Sequence, residues 1–379
     1  MRFKSGVLTL AVGALAWVGA ACSSSEAPAG TTTPPDTLGS LSTLVGAESS
    51  FVSPVYTSFL ASIGGVAFAA APPIVHAAPF LKPWQAIVTA PGLLAGRSPV
   101  SHGAISAALP PRPSMTAASV VPDSVLGKTF EWDTATNTYV KTTRAGAPAN
   151  GVRFILYALV NDTVAEPVSE IGRLDVFDQS TSAAAKVRFL VAGPGGAPVY
   201  YDATTSYAHS GGTDSTVAVS GSGFVSNGLT ASELRKVTFS ALLDEGLFSD
   251  TAVSVKIGVN FSLNQPASNY TSLVTEAVNP RDTTVSYDLR LTDPAGSVRL
   301  ALLEVENADG RLTTVKLYTN GALFATLLAS GSTSIWTDAD GNLLSADDIA
   351  IVTTAFDHLL TGVNLINAFL QPALGVLGF

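Results

Sequence analysis

The stretch from Thr251 to Leu263, TAVSVKIGVNFSL, decides the fold, because polar and apolar residues alternate along it. One face contains only apolar side chains: Val253, Val255, Ile257, Val259, Phe261 and Leu263. The other face contains Ser254, Lys256, Gly258, Asn260 and Ser262. A period of two is typical of a strand with one buried and one solvated face, the usual state of strands in antiparallel sheets.

The same pattern continues on both sides of this stretch. Thr284–Thr292 places Val285, Tyr287, Leu289 and Leu291 on its apolar side. The other predicted strands are Lys128–Asp133, Gly151–Leu159, Leu174–Phe177, Lys186–Val191, Val199–Tyr201, Thr216–Ser220, Arg235–Leu242, Ser297–Glu306, Leu312–Thr319 and Ala322–Leu328.

Tight turns separate the later strands. Asp309-Gly310 and Asn320-Gly321 suit the positive dihedral angles of short hairpins, and Pro294-Ala295-Gly296 closes another turn. Strands linked so briefly are neighbours in the sheet. We therefore predict a mainly β fold, an antiparallel meander that forms a curved sheet or a sandwich.

A helix is predicted at the C-terminal side of the sheet. Ser345 is its expected N-cap, and Asp347 and Asp348 favour a helix start. An apolar stripe follows, formed by Ile349, Val352, Phe356, Leu359 and Leu360. We expect the Ser345–Leu360 helix to lie on the sheet as a lid, with Phe356 and Leu359 facing Val255, Ile257 and Val259.

Residues 37–119 form a low-charge segment that we expect to be helical or irregular. Phe51–Val75 contains no charged residue, which leaves two interpretations, a membrane span or helices packed against the sheet. Pro54, Gly64-Gly65 and Pro72-Pro73 interrupt the segment and favour packing.

The first 21 residues have the layout of a secretory signal peptide. Arg2 and Lys4 precede the uncharged run Val7–Val18, and small residues follow it. Cys22, the single cysteine, comes next and has no partner for an internal disulfide. An ordinary signal peptide with an incidental cysteine is the alternative to a modified Cys22.

The sequence VGAAC at 18–22 resembles the lipobox of bacterial lipoproteins, although Gly19 stands where that family usually has Leu. The resemblance implies cleavage before Cys22 and lipidation of this residue. Ser23 and Ser24, with no Asp after the cysteine, resemble the outer-membrane signal of that family. We therefore expect an outer-membrane lipoprotein on the periplasmic or cell-surface face.

These features divide the chain into four parts. The signal peptide is 1–21, and the lipidated Cys22 begins a tether at 22–36, whose SSSEAPAGTTTPPD is too polar and Pro-rich to form a core. The low-charge segment at 37–119 follows, and the β domain with its C-terminal helix is 120–379.

The composition argues against nucleic-acid binding. Without the two basic residues of the signal region, 18 basic and 29 acidic residues remain, a net charge of −11. Such a surface repels phosphate backbones. Charged residues make up only 13% of the chain, against about a quarter in ordinary soluble domains.

One stretch has partial calcium-loop spacing, Asp338-Ala339-Asp340-Gly341-Asn342. If Gly341 is the loop glycine, Asp338, Asp340 and Asp347 fall on ligand positions. The first ligand position is then Trp336, which does not bind calcium. The alternative is an Asp-Gly turn that follows a short strand and leads to the Ser345 cap.

The sequence contains no catalytic or nucleotide-binding motif. His76, His102, His209 and His358 are scattered and form no zinc motif. His209, Ser210 and Asp214 lie in a Gly/Ser/Thr stretch with the composition of a loop, and Ser220-Gly221-Ser222-Gly223 is also predicted as a loop or bulge. We therefore expect no enzymatic activity and no cofactor.

Two functions from different classes stay open. In the first, the β domain binds a lipid or another hydrophobic ligand, for which Trp132 or Trp336 are possible lining residues. In the second, the domain is a structural or surface-interaction protein, for adhesion or assembly, with a filled core and no small-molecule site. Beyond the membrane, the sequence identifies no protein partner.

Overall fold

The computed structural model describes residues 53–63, 119–160, 163–210, 216–230, 232–249, 252–264, 267–278, 282–307, 310–330, 333–352, 354–355 and 359. Helix α1 (Pro54–Ile63) and a 3₁₀ turn (Asp123–Val125) precede the strands. Helical residues at 346–352, 354–355 and 359 form the C-terminal helix α2. No helix among the described residues is both long and apolar enough to cross a membrane.

Seventeen strands are described between the two helices. They are β1 (Lys128–Asp133), β2 (Thr138–Thr142), β3 (Gly151–Tyr157), β4 (Leu159–Val160), β5 (Thr163–Val164), β6 (Glu170–Asp178), β7 (Ala184–Ala192), β8 (Val199–Ser210), β9 (Thr216–Ser226), β10 (Lys236–Ser249), β11 (Ala252–Asn264), β12 (Ala267–Val278), β13 (Asp282–Asp293), β14 (Gly296–Asn307), β15 (Gly310–Thr319), β16 (Ala322–Ser330) and β17 (Thr333–Thr337).

Fifteen of these strands form one open sheet in the order β17-β16-β15-β14-β13-β12-β11-β10-β9-β8-β7-β6-β3-β1-β2, and β4 pairs with β5 separately. From β6 to β17 every strand is antiparallel to the next one in the chain. The predicted antiparallel meander is therefore confirmed. One pair departs from it, since β3 lies parallel to β1 on the side opposite β2.

One face of the sheet, called the inner face here, is apolar from end to end. A single lateral row along it contains Val152, Val176, Phe189, Ala203, Gly223, Phe239, Phe261, Tyr270, Leu291 and Val298. The nine residues of this row other than Gly223 are each at most 4% exposed, and Gly223 is partly exposed. The opposite face, the outer face, contains the polar half of each alternating strand from β9 onward, for example Ser240, Asn260 and Thr271.

Helix α1 packs on the inner face. Ser53 caps its start, since the Ser53 Oγ accepts a hydrogen bond from the Tyr56 N–H at 3.1 Å, and Pro54 is well suited to the first helical position. Val55, Tyr56 and Phe59 are buried. The helix contacts β3, β6, β7 and β8, so it covers the inner face of these strands.

Helix α2 also packs on the inner face, farther along the sheet. The Asp348 N–H donates to the Ser345 Oγ at 3.2 Å, which confirms Ser345 as the N-cap. Val352, Ala355 and Leu359 are buried. The Tyr270 hydroxyl on β12 donates to the Leu359 carbonyl at 2.7 Å and joins the end of α2 to the sheet.

The turns follow the predicted chemistry. Asn320 and Gly321 have φ values of 51° and 82°, which is the two-residue hairpin with both central residues at positive φ. The Asp293 carboxylate accepts hydrogen bonds from the backbone of Ala295 and Gly296, at 2.8 and 2.9 Å, and closes the turn before β14.

The loop or bulge prediction for Ser220-Gly221-Ser222-Gly223 was wrong, and the loop predicted around His209 does not include His209 or Ser210; residues 211–215 lie outside the described residues. Ser220-Gly221-Ser222-Gly223 lies inside β9 and pairs in unbroken register with both β8 and β10. His209 and Ser210 are the last residues of β8, opposite Val217 and Thr216 of β9. The two long neighbouring strands supply enough pairing partners to override the local glycine preference for turns.

Candidate functional site

A ring cluster forms the wall of the inner face beside α1. Tyr201 of β8 is fully buried, and its ring centroid lies 5.8 Å from that of Tyr56 and 5.2 Å from that of Phe59. On its other side the Tyr201 ring faces that of Phe239 of β10 at 6.3 Å. Burial raises the pKa of Tyr201 well above its usual value, so the phenol stays neutral at physiological pH. This wall is therefore uncharged.

Four small residues, Ala203, Gly221, Gly223 and Ala241, lie next to this wall together with Thr205, on three adjacent strands. Ala203 pairs with Gly223, and Thr205 pairs with Gly221, which in turn pairs with Ala241 of β10. We call Ala203, Thr205, Gly221, Gly223 and Ala241 the small-residue patch. The patch has little side-chain volume where neighbouring inner-face positions have Val or Phe, so the sheet surface is lower there.

Gly223 keeps this surface low. A Cβ atom at Gly223 would lie 2.2 Å from the Asp202 carbonyl oxygen and 2.6 Å from the Ala203 Cα. Any larger residue would therefore displace the backbone of β8. Gly223 is thus fixed by the close approach of β8 and β9, and it leaves the inner face open above it.

Thr205 adds an unusual polar group to the patch. Its side chain is fully buried, and its Oγ1 forms no hydrogen bond within the described structure. A buried hydroxyl without a partner costs about 1–3 kcal/mol. The neighbouring inner-face residues on β7 and β9, Val187 and Gly221, offer no side-chain acceptor. A ligand oxygen above Thr205 would satisfy this group.

Two other buried hydroxyls also lack a partner among the described residues, Thr129 Oγ1 and Ser268 Oγ. Neither borders a group of small residues. Ser268 lies opposite Leu263, and Thr129 lies between Arg153 and Thr142. Only at Thr205, of these three, do an unpartnered hydroxyl and missing side-chain volume coincide.

The ion pairs near the patch lie on the other face of the sheet. Arg188 binds both carboxylate oxygens of Asp202 at 2.7 Å, and Arg153 binds Asp175 at 2.6 and 2.8 Å. Arg188 and Asp202 alternate with the inner-face residues Val187 and Ala203 along their strands. These charges therefore tie neighbouring strands together and do not face the patch.

The predicted calcium residues form a turn in the structure. The Asp338 carboxylate accepts hydrogen bonds from the Asp340 and Asn342 backbone and from the Asn342 side chain, at 2.8–3.0 Å. The hydrogen bonds from Asn342 lower the pKa of Asp338. Asp347 lies in α2. Within the described residues, no three His, Cys, Asp or Glu side chains are arranged to hold a metal ion.

The turn has a structural role of its own. The Leu344 N–H donates to the Trp336 carbonyl at 3.1 Å, and Leu343 bridges Thr337. Residues 343–344 therefore occupy part of the free side of β17, the last strand of the sheet. Covered edges resist pairing with other chains.

The remaining sequence candidates are distributed as follows. Trp132 packs edge-on against Tyr139 at 5.5 Å, and Trp336 is buried, so both belong to the core. Leu359 is buried on the inner face as predicted. The structure does not describe the other candidates, or does not describe their side chains: Cys22, His76, His102, His209, Asp214, Val255, Phe356 and His358.

A second surface of interest lies on the outer face. Leu303 pairs with Thr314, which pairs with Leu328, which pairs with Ile335. We call Leu303, Leu312, Leu328 and Ile335 the apolar corner. The exposed fractions are 47% for Leu303, 53% for Leu328, 48% for Ile335 and 51% for Leu312. Polar side chains would be expected at positions this exposed.

No protein family, curated protein or solved structure that was compared with the chain matches it.

Proposed function

We propose that this chain is an envelope lipoprotein whose β domain binds a lipid or another hydrophobic ligand on the inner face of the sheet. The observation that supports this function best is the small-residue patch, where an unpartnered buried hydroxyl meets missing side-chain volume on an apolar face. Hydrophobic ligand sites combine apolar walls with a small number of placed polar groups. The proposal includes no catalysis and no cofactor.

The proposed attachment is a lipid on Cys22 in the outer membrane, with the domain on the periplasmic or surface side. The stretch after Cys22 is polar and Pro-rich until Asp36. A flexible tether of this length has an average reach of about 20 Å. This reach would hold the sheet close to the membrane, where a hydrophobic ligand is exchanged over a short distance.

The attachment is tested with Cys22→Ala, and Ser23→Ala is the matched control. The Cys22 variant should leave the washed membrane fraction and lose its acyl label, because two or more acyl chains are needed for stable anchoring. The Ser23 variant should stay in the membrane with its label. Retention of the unlabelled Cys22 variant in membranes would refute the anchor and point to the Phe51–Val75 segment.

Ligand binding is tested on the intact protein purified in mild detergent. We expect organic extraction and mass spectrometry to release a lipid class at a fixed molar ratio to protein. The same extraction from an unrelated lipoprotein with its own anchor is the control for carried-over membrane lipid. A lipid profile identical to that of the control protein would contradict the proposal.

The second candidate is a surface-interaction or assembly lipoprotein without a small-molecule site. The apolar corner favours it, because exposed contiguous apolar surface marks interaction sites. The corner reaches the end of the sheet at β17, so a second copy of the chain related by a two-fold axis could place the same residues against it. Leu328→Lys should then shift the sedimentation coefficient to that of a monomer, and Thr326→Lys, on the same strand and face, should not.

A further inference from the structure

We infer that the small-residue patch is the seat of the ligand's polar group, and that the ligand is an uncharged acyl lipid whose ester or hydroxyl oxygen accepts a hydrogen bond from Thr205. The inference rests on the proposed function and gives it a place and a chemistry. It follows from the coincidence of Thr205 Oγ1 with the glycine pair at 221 and 223.

The chemistry of the polar group follows from what surrounds Thr205. The inner-face positions next to it are Val187 and Gly221 across the strands, and Ala203 and Tyr207 along β8. All four are uncharged, and Arg188 and Asp202 lie on the outer face and bind each other. A carboxylate or phosphate buried here would have no cation to pair with among these described neighbours, which is strongly unfavourable. An ester or hydroxyl oxygen needs only the one donor that Thr205 has free.

The size of the patch fits such a group. Three adjacent strands span about 10 Å, and two inner-face positions along a strand span about 7 Å. These lateral dimensions are comparable to those of an ester group and the first carbons of a chain. The two lateral rows of the patch continue across the sheet with Phe239 and Phe261 in one row and Val259 in the other, all at most 4% exposed, which provide an apolar path toward β11.

The wall of aromatic rings sets one end of the site. Tyr201 and Phe239 stand beside Ala203 and Gly223, and Tyr201 is held by α1 through Tyr56 and Phe59. A ligand chain therefore extends away from α1. The alternative occupant of the small-residue patch is an apolar segment of this same chain, such as the uncharged stretch 360–379. The test below separates the two occupants.

The experiment measures binding of a fluorescent C18 polyene fatty acid methyl ester to the detergent-purified, delipidated full chain. Thr205→Val removes the hydroxyl and keeps the shape, and Ala241→Leu fills the patch. The control Ser268→Ala removes another unpartnered buried hydroxyl, which lies about 19 Å away by four strand spacings. All variants are compared at equal folded fraction by near-ultraviolet dichroism.

We expect wild type and Ser268→Ala to bind the ester saturably and equally. Thr205→Val should bind about tenfold more weakly, which corresponds to ~1.4 kcal/mol. Ala241→Leu should lose binding and keep its melting temperature, because the added side chain fills space that the ligand vacates. If Ala241→Leu does not fold, Ala241→Val takes its place with a smaller loss of affinity. The free fatty acid at pH 8 should bind at least tenfold more weakly than the ester.

Three outcomes would overturn the inference. Equal binding by wild type, Thr205→Val and Ala241→Leu would place the ligand elsewhere on the inner face and leave the proposed function standing. A large fall in the melting temperature of both Ala241 variants, with no effect on ester binding, would show that the chain's own segment fills the patch. Absence of ester binding by wild type would overturn the inference and the proposed function together.

Discussion

Replacement of Tyr270 by Phe tests how α2 is held on the sheet. The Tyr270 ring is fully buried and stacks on Phe261 with centroids 4.9 Å apart, and its hydroxyl donates to the Leu359 carbonyl at 2.7 Å. The substitution keeps the ring and its packing. It removes only the hydroxyl and leaves the buried Leu359 carbonyl without this donor.

The expected cost follows from these contacts. Loss of a neutral hydrogen bond costs about 1 kcal/mol, and an unsatisfied buried carbonyl raises the cost to about 1–3 kcal/mol. In a domain of this size each kcal/mol lowers the melting temperature by about 2–4 °C. Burial raises the pKa of Tyr270 above its usual range, so the hydroxyl stays protonated and the effect should be the same from pH 6 to pH 9.

The assay is thermal unfolding combined with amide hydrogen exchange. Tyr139→Phe is the matched control, since the buried Tyr139 hydroxyl donates to the Ile155 carbonyl at 2.8 Å on the β1–β3 side of the sheet. Both variants should melt earlier, but only Tyr270→Phe should speed exchange in 346–352. Unchanged exchange in α2 would refute the view that this hydrogen bond holds the helix on the sheet.

Three further predictions concern other parts of the fold. Gly321→Val should destabilise the domain by roughly 1–3 kcal/mol through backbone strain alone, because φ is 82° and nothing lies within 4 Å of the new Cβ. Gly258→Val, which is also in open space but has ordinary strand geometry, should not destabilise it. Equal urea midpoints for the two variants would contradict this prediction. Burial raises the pKa of Asp178, but hydrogen bonds from Ser119, Val121 and Ser180 outweigh this effect and lower the pKa. The ionised Asp178 carboxylate therefore stabilises the fold above the unfolded pKa near 3.8, and this stabilisation is lost as the pH falls through the lower folded pKa. Asp178→Asn should therefore cost about 1–2 kcal/mol at pH 7 and progressively less below pH 4 in urea titrations, and a pH-independent difference would argue against the carboxylate's role. Millimolar calcium should leave the melting temperature of wild type and Asp338→Ala unchanged, and a rise in wild type alone would restore the calcium interpretation.

The alternation of apolar and polar residues predicted most of the sheet, and it failed where the inner face itself is polar. β11 and β13 follow the period of two, and their buried residues all lie on the apolar face, namely Ile257, Val259, Phe261, Leu263, Val285, Leu289 and Leu291. β12 was missed because its inner face includes Ser268 and Ser272, both buried. β17 was expected only as an unbounded short strand before the Asp-Gly turn, because it has only five residues. In both cases the neighbouring strands, and not the local pattern, determine the pairing.

The candidate site was missed for the same reason. Val199–Tyr201 was predicted as a short strand, whereas β8 continues to Ser210 and includes Ala203 and Thr205. Gly221 and Gly223 were assigned to a loop. Neither stretch alternates, since small residues occupy the consecutive positions 203–206 in β8 and 220–223 in β9. The buried face was hidden because small residues have no hydrophobic side chain to mark it, and burial of Thr205 depends on partners far away in sequence.

The segment from β17 to α2 combines two structural tasks, and this explains why the apolar corner stays exposed. The turn at 338–344 covers part of the edge of β17, and Ser345 then starts α2. From β17 to Tyr270 on β12 there are five strand spacings, about 24 Å. The described helical residues of α2 begin at 346, and the Leu359 carbonyl is bound by Tyr270, so α2 leads from the turn beside β17 to β12. Since α2 crosses the inner face, it leaves Leu303, Leu328 and Ile335 uncovered on the outer face. The apolar corner therefore stays exposed on the outer face because α2 covers only the inner face.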